Sequence, residues 1–212
     1  MTTNFRKLKS QEEIFNKFIR RLSPQAQTTL KAAFKLSKHA HTGQKRDEGD
    51  PYFIHPLRVA NFLIKDLKVF NPDIISSALL HDVVEDTDVP LSIIKKQFGT
   101  RIGNLVKNLT RPRPKHETED HKRKGKLKKY YALLKADEDT RLIKCADMLD
   151  NLRSMHFVPK HHPTRRKFPR WLEEVKKYNL PLARITNKTV VIKMQKTFNQ
   201  TKKYLSTKTT HT

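Results

Sequence analysis

An all-α domain is the fold this sequence predicts, on three observations. Apolar residues recur at helical spacing, as in QEEIFNKFIRRL, where Ile14, Phe15, Phe18, Ile19 and Leu22 share one side. Two helix-start signals, Ser23-Pro24 and Asn71-Pro72, stand directly ahead of such runs. The β-branched run TVVIKM, which propensity would read as a strand, lies between the helical flanks PLARI and QKTFNQTKKYL.

The elements follow in order. QEEIFNKFIRRL is the first helix, and SPQAQTTLKAAFKLSKHAH is the second, capped by Ser23 with Pro24 at its first position. TGQKRDEGDPYFIHP contains glycines and prolines that break regular structure, so it is a loop. PLRVANFLIKDL resumes helical spacing, and PDIISSALLHDVVE is predicted as one helix capped by Asn71. After a break at Thr87 to Pro90 come two short helices, PLSIIKKQFG and RIGNLVKNL, parted at Gly99. The polar stretch TRPRPKHETEDHKRKGKLKK starts as a loop and runs into a helix through LKKYYALLKAD. The helix EDTRLIKCADMLDNLRSM follows. A second loop, HFVPKHHPTRRKFPR, leads into WLEEVKKY, and one long helix is expected from Pro181 to about Leu205, with a frayed end beyond it. No internal repeat or linker is evident, so residues 1–212 read as one domain.

Composition narrows the class. The 45 Lys and Arg against 21 Asp and Glu give a formal net charge of +24, which suggests an anionic partner such as a nucleotide or nucleic acid. A solvated basic face is the plain alternative. The single cysteine, Cys145, excludes a disulfide scaffold or multi-cysteine zinc site within the chain and is expected in the core. The opening MTTNFRKLKSQEE has no apolar signal region, and no apolar run approaches the ~18 residues of a membrane span. A soluble cytoplasmic protein without a membrane partner is therefore expected.

Against this basic background, SSALLHDVVEDT sets His81, Asp82, Glu85 and Asp86 at the end of an apolar run. On a helix, His81 and Glu85 would share a face at i,i+4, with Asp82 and Asp86 offset by one residue. His81 and Asp82 can reach one ion together, but two ligands rarely suffice for a catalytic divalent cation. Similar breaks of pattern occur at His55, just before Pro56, and at Asp147, inside IKCADMLDNL. A His55, His81, Asp82, Asp147 set offers two nitrogens and two carboxylates, which suits Mn²⁺ with positions left for water and substrate. Glu85 and Asp86 could then orient or deprotonate the attacking water. The alternative is that each histidine is a satisfied core or helix-end residue.

Together, AHTGQKRDEGDPYFIHP, ALLHDVVEDTDVPLSIIKKQFG and IKCADMLDNLRSM resemble the hydrolase domain of the RelA/SpoT family. The chain is similar to the small, single-domain alarmone hydrolases of that family, within the wider HD phosphohydrolase superfamily. The likeness covers roughly residues 25–157, leaving 158–212 as a basic helical C-terminal extension. It implies the HD-domain fold and a Mn²⁺-dependent removal of the 3′-pyrophosphate from guanosine penta- or tetraphosphate (pppGpp or ppGpp), the alarmones of the stringent response. It implies His55, His81, Asp82 and Asp147 as metal ligands and Glu85 and Asp86 as the acidic pair at the water. It places Arg46 in the nucleotide pocket, with Asn151 and Ser154 near the sugar and base. Lys122, Arg123, Lys126 and Lys129 are candidate phosphate contacts, and Arg153 is either a further one or a structural partner of the acidic cluster.

Two positions depart from the family pattern. Asp47 stands where a basic residue is common, and Asp150 where many relatives carry a histidine. Both fall at the pocket rim or behind the ligands, so the chemistry is more secure than the substrate. The same site acting on 3′-pyrophosphorylated tRNA, in an antitoxin-like role, or on the 2′-phosphate of NADPH, is the alternative enzyme reading. A basic nucleic-acid-binding helical module with a structural metal is the non-enzyme one. Arg184, Lys188, Lys193, Lys196, Lys202, Lys203 and Lys208 form the charged face behind that last reading, while Phe168, Trp171 and Tyr178 are expected to pack.

Overall fold

The computed structural model describes residues 5–111 and 116–206. Among these residues the chain is all helical, with no β-sheet and one isolated antiparallel bridge, Lys45 to Pro51, in the first loop. Its helices are α1 (Leu8–Ile19), α2 (Pro24–Ala40), α3 (Ile54–Lys65), α4 (Pro72–Leu80), α5 (Val83–Asp86), α6 (Leu91–Leu109), α7 (Glu119–Leu134), α8 (Glu138–Ser154), α9 (Phe168–Glu174), α10 (Leu180–Thr186) and α11 (Lys188–Ser206). Lys208 and the expected frayed end lie outside the described residues.

The start signals act as read. The Ser23 side chain accepts from the Ala26 N–H, and Asn71 accepts from Asp73 N–H, in each case with proline at the start of the helix. Asp137 caps α8 by accepting from Thr140 N–H at 2.7 Å. Gly99 has φ 85°, a left-handed value open to glycine, and it parts the two segments of α6 where the sequence predicted a break.

The core lies around α3. Every residue from Ile54 to Ile64 is buried, including His55, Arg58 and Asn61, so this helix has no solvent face. It packs against α1, α4 and α8, while α2 and α6 cover α4, and α10 and α11 close over α8. Cys145 belongs to this core, and burial pushes its thiol up to about 12, as expected of a packing residue. Phe168 is buried against Trp171 with ring centroids 5.7 Å apart, and Tyr178 packs on Tyr130 at 4.9 Å. No helix among the described residues is long and apolar enough to cross a membrane.

Two sequence expectations are corrected. The helix expected through PDIISSALLHDVVE stops at Leu80, and His81 and Asp82 form a turn before α5. At this turn His81 Nδ1 donates to Ala78 O at 2.8 Å. The long helix expected from Pro181 breaks at Asn187, whose backbone is extended at φ −159° and ψ 128°. Its side-chain oxygen accepts from Thr189 N–H at 2.9 Å and Val190 N–H at 3.2 Å, so Asn187 starts α11 anew.

This packing predicts a sharp contrast in stability. Leu79 is wholly buried in α4, so Leu79→Ala should lower the unfolding free energy by about 2–5 kcal/mol in urea titrations. Ile192 is 57% exposed on α11, and Ile192→Ala should change it by no more than about 0.5 kcal/mol. Equal effects at the two positions would contradict the placement of the core.

Candidate metal centre and active site

Three segments deliver the four predicted ligands to one place. His55 stands in the first turn of α3, where its N–H bonds back to Tyr52 O at 3.0 Å. His81 and Asp82 occupy the turn between α4 and α5, and Asp147 projects from the middle of α8. Ligating atoms of His55, His81 and Asp82 all lie within 4.8 Å of one another. Asp147 Oδ1 completes the set at 3.2 Å from His55 Nε2 and 3.8 Å from His81 Nε2. Asp82 offers Oδ2 to His55 Nε2 at 3.5 Å and Oδ1 to His81 Nε2 at 3.2 Å.

The donor set fits a divalent cation. Each histidine donates its Nδ1–H away from the cluster, His81 to Ala78 O and His55 to Asp150 Oδ2 at 2.7 Å. That tautomer turns the Nε2 lone pair of both rings towards Asp82 and Asp147. His81 Nε2 is buried and takes no hydrogen bond, which leaves an acceptor lone pair aimed among carboxylate oxygens. Two imidazole nitrogens with two carboxylates suit a divalent cation.

The electrostatics agree. Burial pulls the His81 pKa down, but Asp82 and Asp147 overcome it and hold the ring well above its ordinary value. Burial raises the Asp147 carboxyl, yet Lys144 and the two histidines bring it well below the usual carboxylate range. Asp82 is likewise lowered by His81 and His55 against its own burial. The carboxylates that favour a proton on His81 would equally hold a cation in its place.

The acidic pair lies beside this cluster. Asp86 Oδ2 is 2.7 Å from the Tyr52 hydroxyl, which also lies 2.9 Å from Asp82 Oδ2, so one phenol bridges a ligand and the pair. Burial, followed by Asp82 and Asp86, pushes the Tyr52 hydroxyl pKa up, which keeps it a donor. Gln44 Nε2 donates to Asp86 O at 2.9 Å, fixing the end of α5, the short helix on which the pair sits. Glu85 Oε2 accepts from Arg111 N–H at 2.7 Å.

The other predicted residues divide. Arg46 Nη2 donates to Asn151 Oδ1 at 2.6 Å, and Asn151 Nδ2 donates to Asp147 Oδ1 at 2.5 Å, so Asn151 bonds a predicted ligand directly and Arg46 reaches it through Asn151. Ser154 is buried with its hydroxyl accepting from Arg58, so it meets the centre through Arg58 and Asp150. Lys122 and Arg123 pair within α7 with Glu119 and Asp120, and Lys126 pairs with Glu174 at 3.0 Å. Lys129 donates to Thr110 O at 3.0 Å, and burial and then Lys144 bring its pKa down to about 8. Arg153 covers the Phe62 ring at 5.3 Å, a packing role on the α3 side. Asp47 is exposed, whereas Asp150 is buried behind His55.

Sequence reasoning missed Tyr52, Lys144 and Arg58. Arg58 and Lys144 had a signal in their spacing. Arg58 stands three residues after His55 on α3, and Lys144 three before Asp147 on α8, with its ammonium 2.7 Å from Asp147 Oδ2, whereas Tyr52 lies in the loop before α3 and had none. On a helix, i,i+3 positions are neighbours, so a polar residue at that offset from a ligand was the clue.

Comparison with known proteins agrees with this geometry. The sequence pattern of the HD domain family matches residues 33–175, well over half of the chain. The chain is 38% identical over 135 residues to guanosine-3′,5′-bis(diphosphate) 3′-pyrophosphohydrolase of Aquifex aeolicus, covering 62% of this chain and 18% of that protein. It is 34% identical over 134 residues to the protein of the same name from Borreliella burgdorferi, covering 63% and 20%. The chain thus spans about a fifth of the length of these curated relatives. A solved structure described as a metazoan ortholog of SpoT that hydrolyzes ppGpp has a TM-score of 0.72 and 28% identity, covering 81% of this chain and 94% of that one. The protein lmo0812 of Listeria monocytogenes, at 23% identity and a TM-score of 0.52, shares the fold. With the His-His-Asp cluster on its helical scaffold, this chain belongs to the HD domain family and is RelA/SpoT-like within it.

Proposed function

We propose that the chain is a Mn²⁺-dependent pyrophosphohydrolase that converts ppGpp to GDP, or pppGpp to GTP, with release of pyrophosphate. The observation that carries this reading is the convergence of His55, His81, Asp82 and Asp147, with Asp86 tied to Asp82 through Tyr52. The named activity of the Aquifex and Borreliella relatives and of the metazoan structure supports the choice of substrate. Their greater length makes the activity of this shorter chain a matter for direct assay.

The reaction adds water across a P–O bond. Water oxygen bonds to the phosphorus attached to the ribose 3′-oxygen, that P–O bond breaks, and a proton ends on the 3′-hydroxyl. Glu85 and Asp86 are assigned to receive the water's proton and pass it to the leaving oxygen. The Arg111 N–H on Glu85 and the Tyr52 hydroxyl on Asp86 hold the two carboxylates in place. A divalent ion held by His55, His81, Asp82 and Asp147 would supply Lewis-acid polarisation of the phosphoryl group and acidify water. Arg46, ordered by Asn151, is assigned to the nucleotide phosphates. Lys129, whose ammonium donates to Thr110 O, is a further phosphate candidate.

A second substrate keeps the same site. Arg184, Lys188, Lys196, Lys202 and Lys203 are exposed along α10 and α11, a basic face that favours pyrophosphorylated tRNA. Salt-insensitive failure to bind tRNA would remove that reading. NADPH, whose case rests on the exposed Asp47, belongs in the same assay.

Purified protein supplied with Mn²⁺ should release pyrophosphate from ppGpp one for one with GDP, measured by anion-exchange chromatography. Asp82→Ala should abolish turnover; wild-type turnover by that variant after metal stripping would contradict the proposal. Asp86→Asn should lower kcat by about 10²–10⁴-fold while Mn²⁺ still binds, as expected of a proton-transfer group. Arg46→Ala should raise KM about tenfold or more, the worth of a charged hydrogen bond, in steady-state kinetics. An unchanged KM would take Arg46 out of the substrate pocket.

A further inference from the structure

His55 is held from both sides. Its Nε2 faces Asp147 and Asp82, and its Nδ1 lies 2.7 Å from Asp150 Oδ2. Asp150 in turn is gripped by Arg58, with Nε 2.9 Å from Oδ1 and Nη2 2.9 Å from Oδ2. The same Nη2 lies 2.9 Å from Ser154 Oγ and 3.3 Å from Glu48 Oε1. Phe5 covers the guanidinium at 4.2 Å from its ring centre. Glu48, His55, Arg58, Asp150 and Ser154 are all buried.

We infer that Asp150 is a positioning residue, clamped by Arg58, that sets the tautomer and aim of the ligand His55. The inference rests on the metal-site reading of the preceding subsection. A neutral imidazole carries its proton on one nitrogen only, and the partner of the other decides which. A carboxylate can only accept, so Asp150 keeps the proton on Nδ1 and leaves the Nε2 lone pair for the cation. The two histidines reach this state by different means. His81 is fixed by a main-chain carbonyl, Ala78 O, whereas His55 is fixed by a side chain. Only the second arrangement can be removed by a single substitution. The bidentate grip of Arg58 satisfies Asp150 in a buried position and stops its carboxylate from turning to the cation itself.

Asn at this position tests the idea on chemical grounds. It keeps the shape but has one oxygen in place of two. If that oxygen stays with Arg58 Nε, the amide NH₂ faces His55 Nδ1 and forces the proton onto Nε2, the wrong atom for a ligand.

The experiment titrates Mn²⁺ into the full chain and follows the free ion by electron paramagnetic resonance. Asp150→Asn should bind Mn²⁺ about 10–100-fold more weakly, while circular dichroism remains that of the folded helical protein. In a His55→Ala background the same substitution should cost no further affinity, because the group it acts through is gone. A folded Asp150→Asn with wild-type affinity, or losses that multiply in the double variant, would overturn the inference. If Asp150→Asn does not fold, nitrogen-15 spectra of the unsubstituted, Zn²⁺-loaded chain decide. A proton on His55 Nδ1 agrees, and a metal on that nitrogen refutes it. An unsubstituted chain that binds no Mn²⁺ would remove the metal reading together with this inference, whereas binding unaffected by Asp150→Asn removes the inference alone.

Discussion

Two carboxylates and two imidazoles meet inside a helical core, and the surrounding structure serves to make that tolerable. Removing a carboxylate from water costs several kcal/mol even after relaxation, and Asp82 and Asp147 share one small space. Positive charge must balance them. Lys144 supplies part of it at 2.7 Å from Asp147, and the histidine nitrogens face the rest. The arrangement is therefore compatible with a divalent cation, which would take the place of the proton that the two carboxylates favour on His81. An apolar substitute would pack more cheaply, so the charge in this position has a use beyond stability.

The fold makes that meeting point by three devices. A wholly buried helix, α3, carries His55 through the centre of the domain with Arg58 one turn on. A helix that ends at Leu80 leaves His81 and Asp82 in a turn at the cluster, with the His81 ring bonded to Ala78 O. A capped helix, α8, brings Asp147 alongside, with Lys144 and Asn151 on neighbouring turns. Tyr52 then links ligand to acidic pair, and Arg46 links Asn151 to the loop above. Each group that would do chemistry is thus bonded to another group that fixes its direction. The apolar packing of α2, α6, α10 and α11 stands behind these helices and keeps water from their far sides.

Much of this was legible in the sequence. Period-3.6 spacing and the Ser23 and Asn71 caps placed the helices, because both act within a few residues. The four predicted ligands stood out as polar residues in apolar windows, a pattern that burial makes expensive unless it has a purpose. What failed was local competition. Nothing in PDIISSALLHDVVE shows that the helix will stop at Leu80 with the His81 imidazole bonded to a main-chain carbonyl. Asn187 was read as helix interior, since its capping bonds to Thr189 and Val190 compete with a helix-compatible sequence on both sides. Tyr52 and Arg58 went unread because their roles depend on partners 30 and 92 residues away in the chain. Asp150 was seen as a departure from the family pattern, but only the tertiary structure shows it bonded to His55.

The central claim is that one divalent cation sits among His55, His81, Asp82 and Asp147. Anomalous diffraction from crystals grown with Mn²⁺ tests it most directly. The account predicts one strong manganese peak within about 2.4 Å of both Nε2 atoms and of one oxygen from each carboxylate. A well-ordered crystal with these side chains in place and no manganese peak among them, or a peak held by other residues, would contradict it.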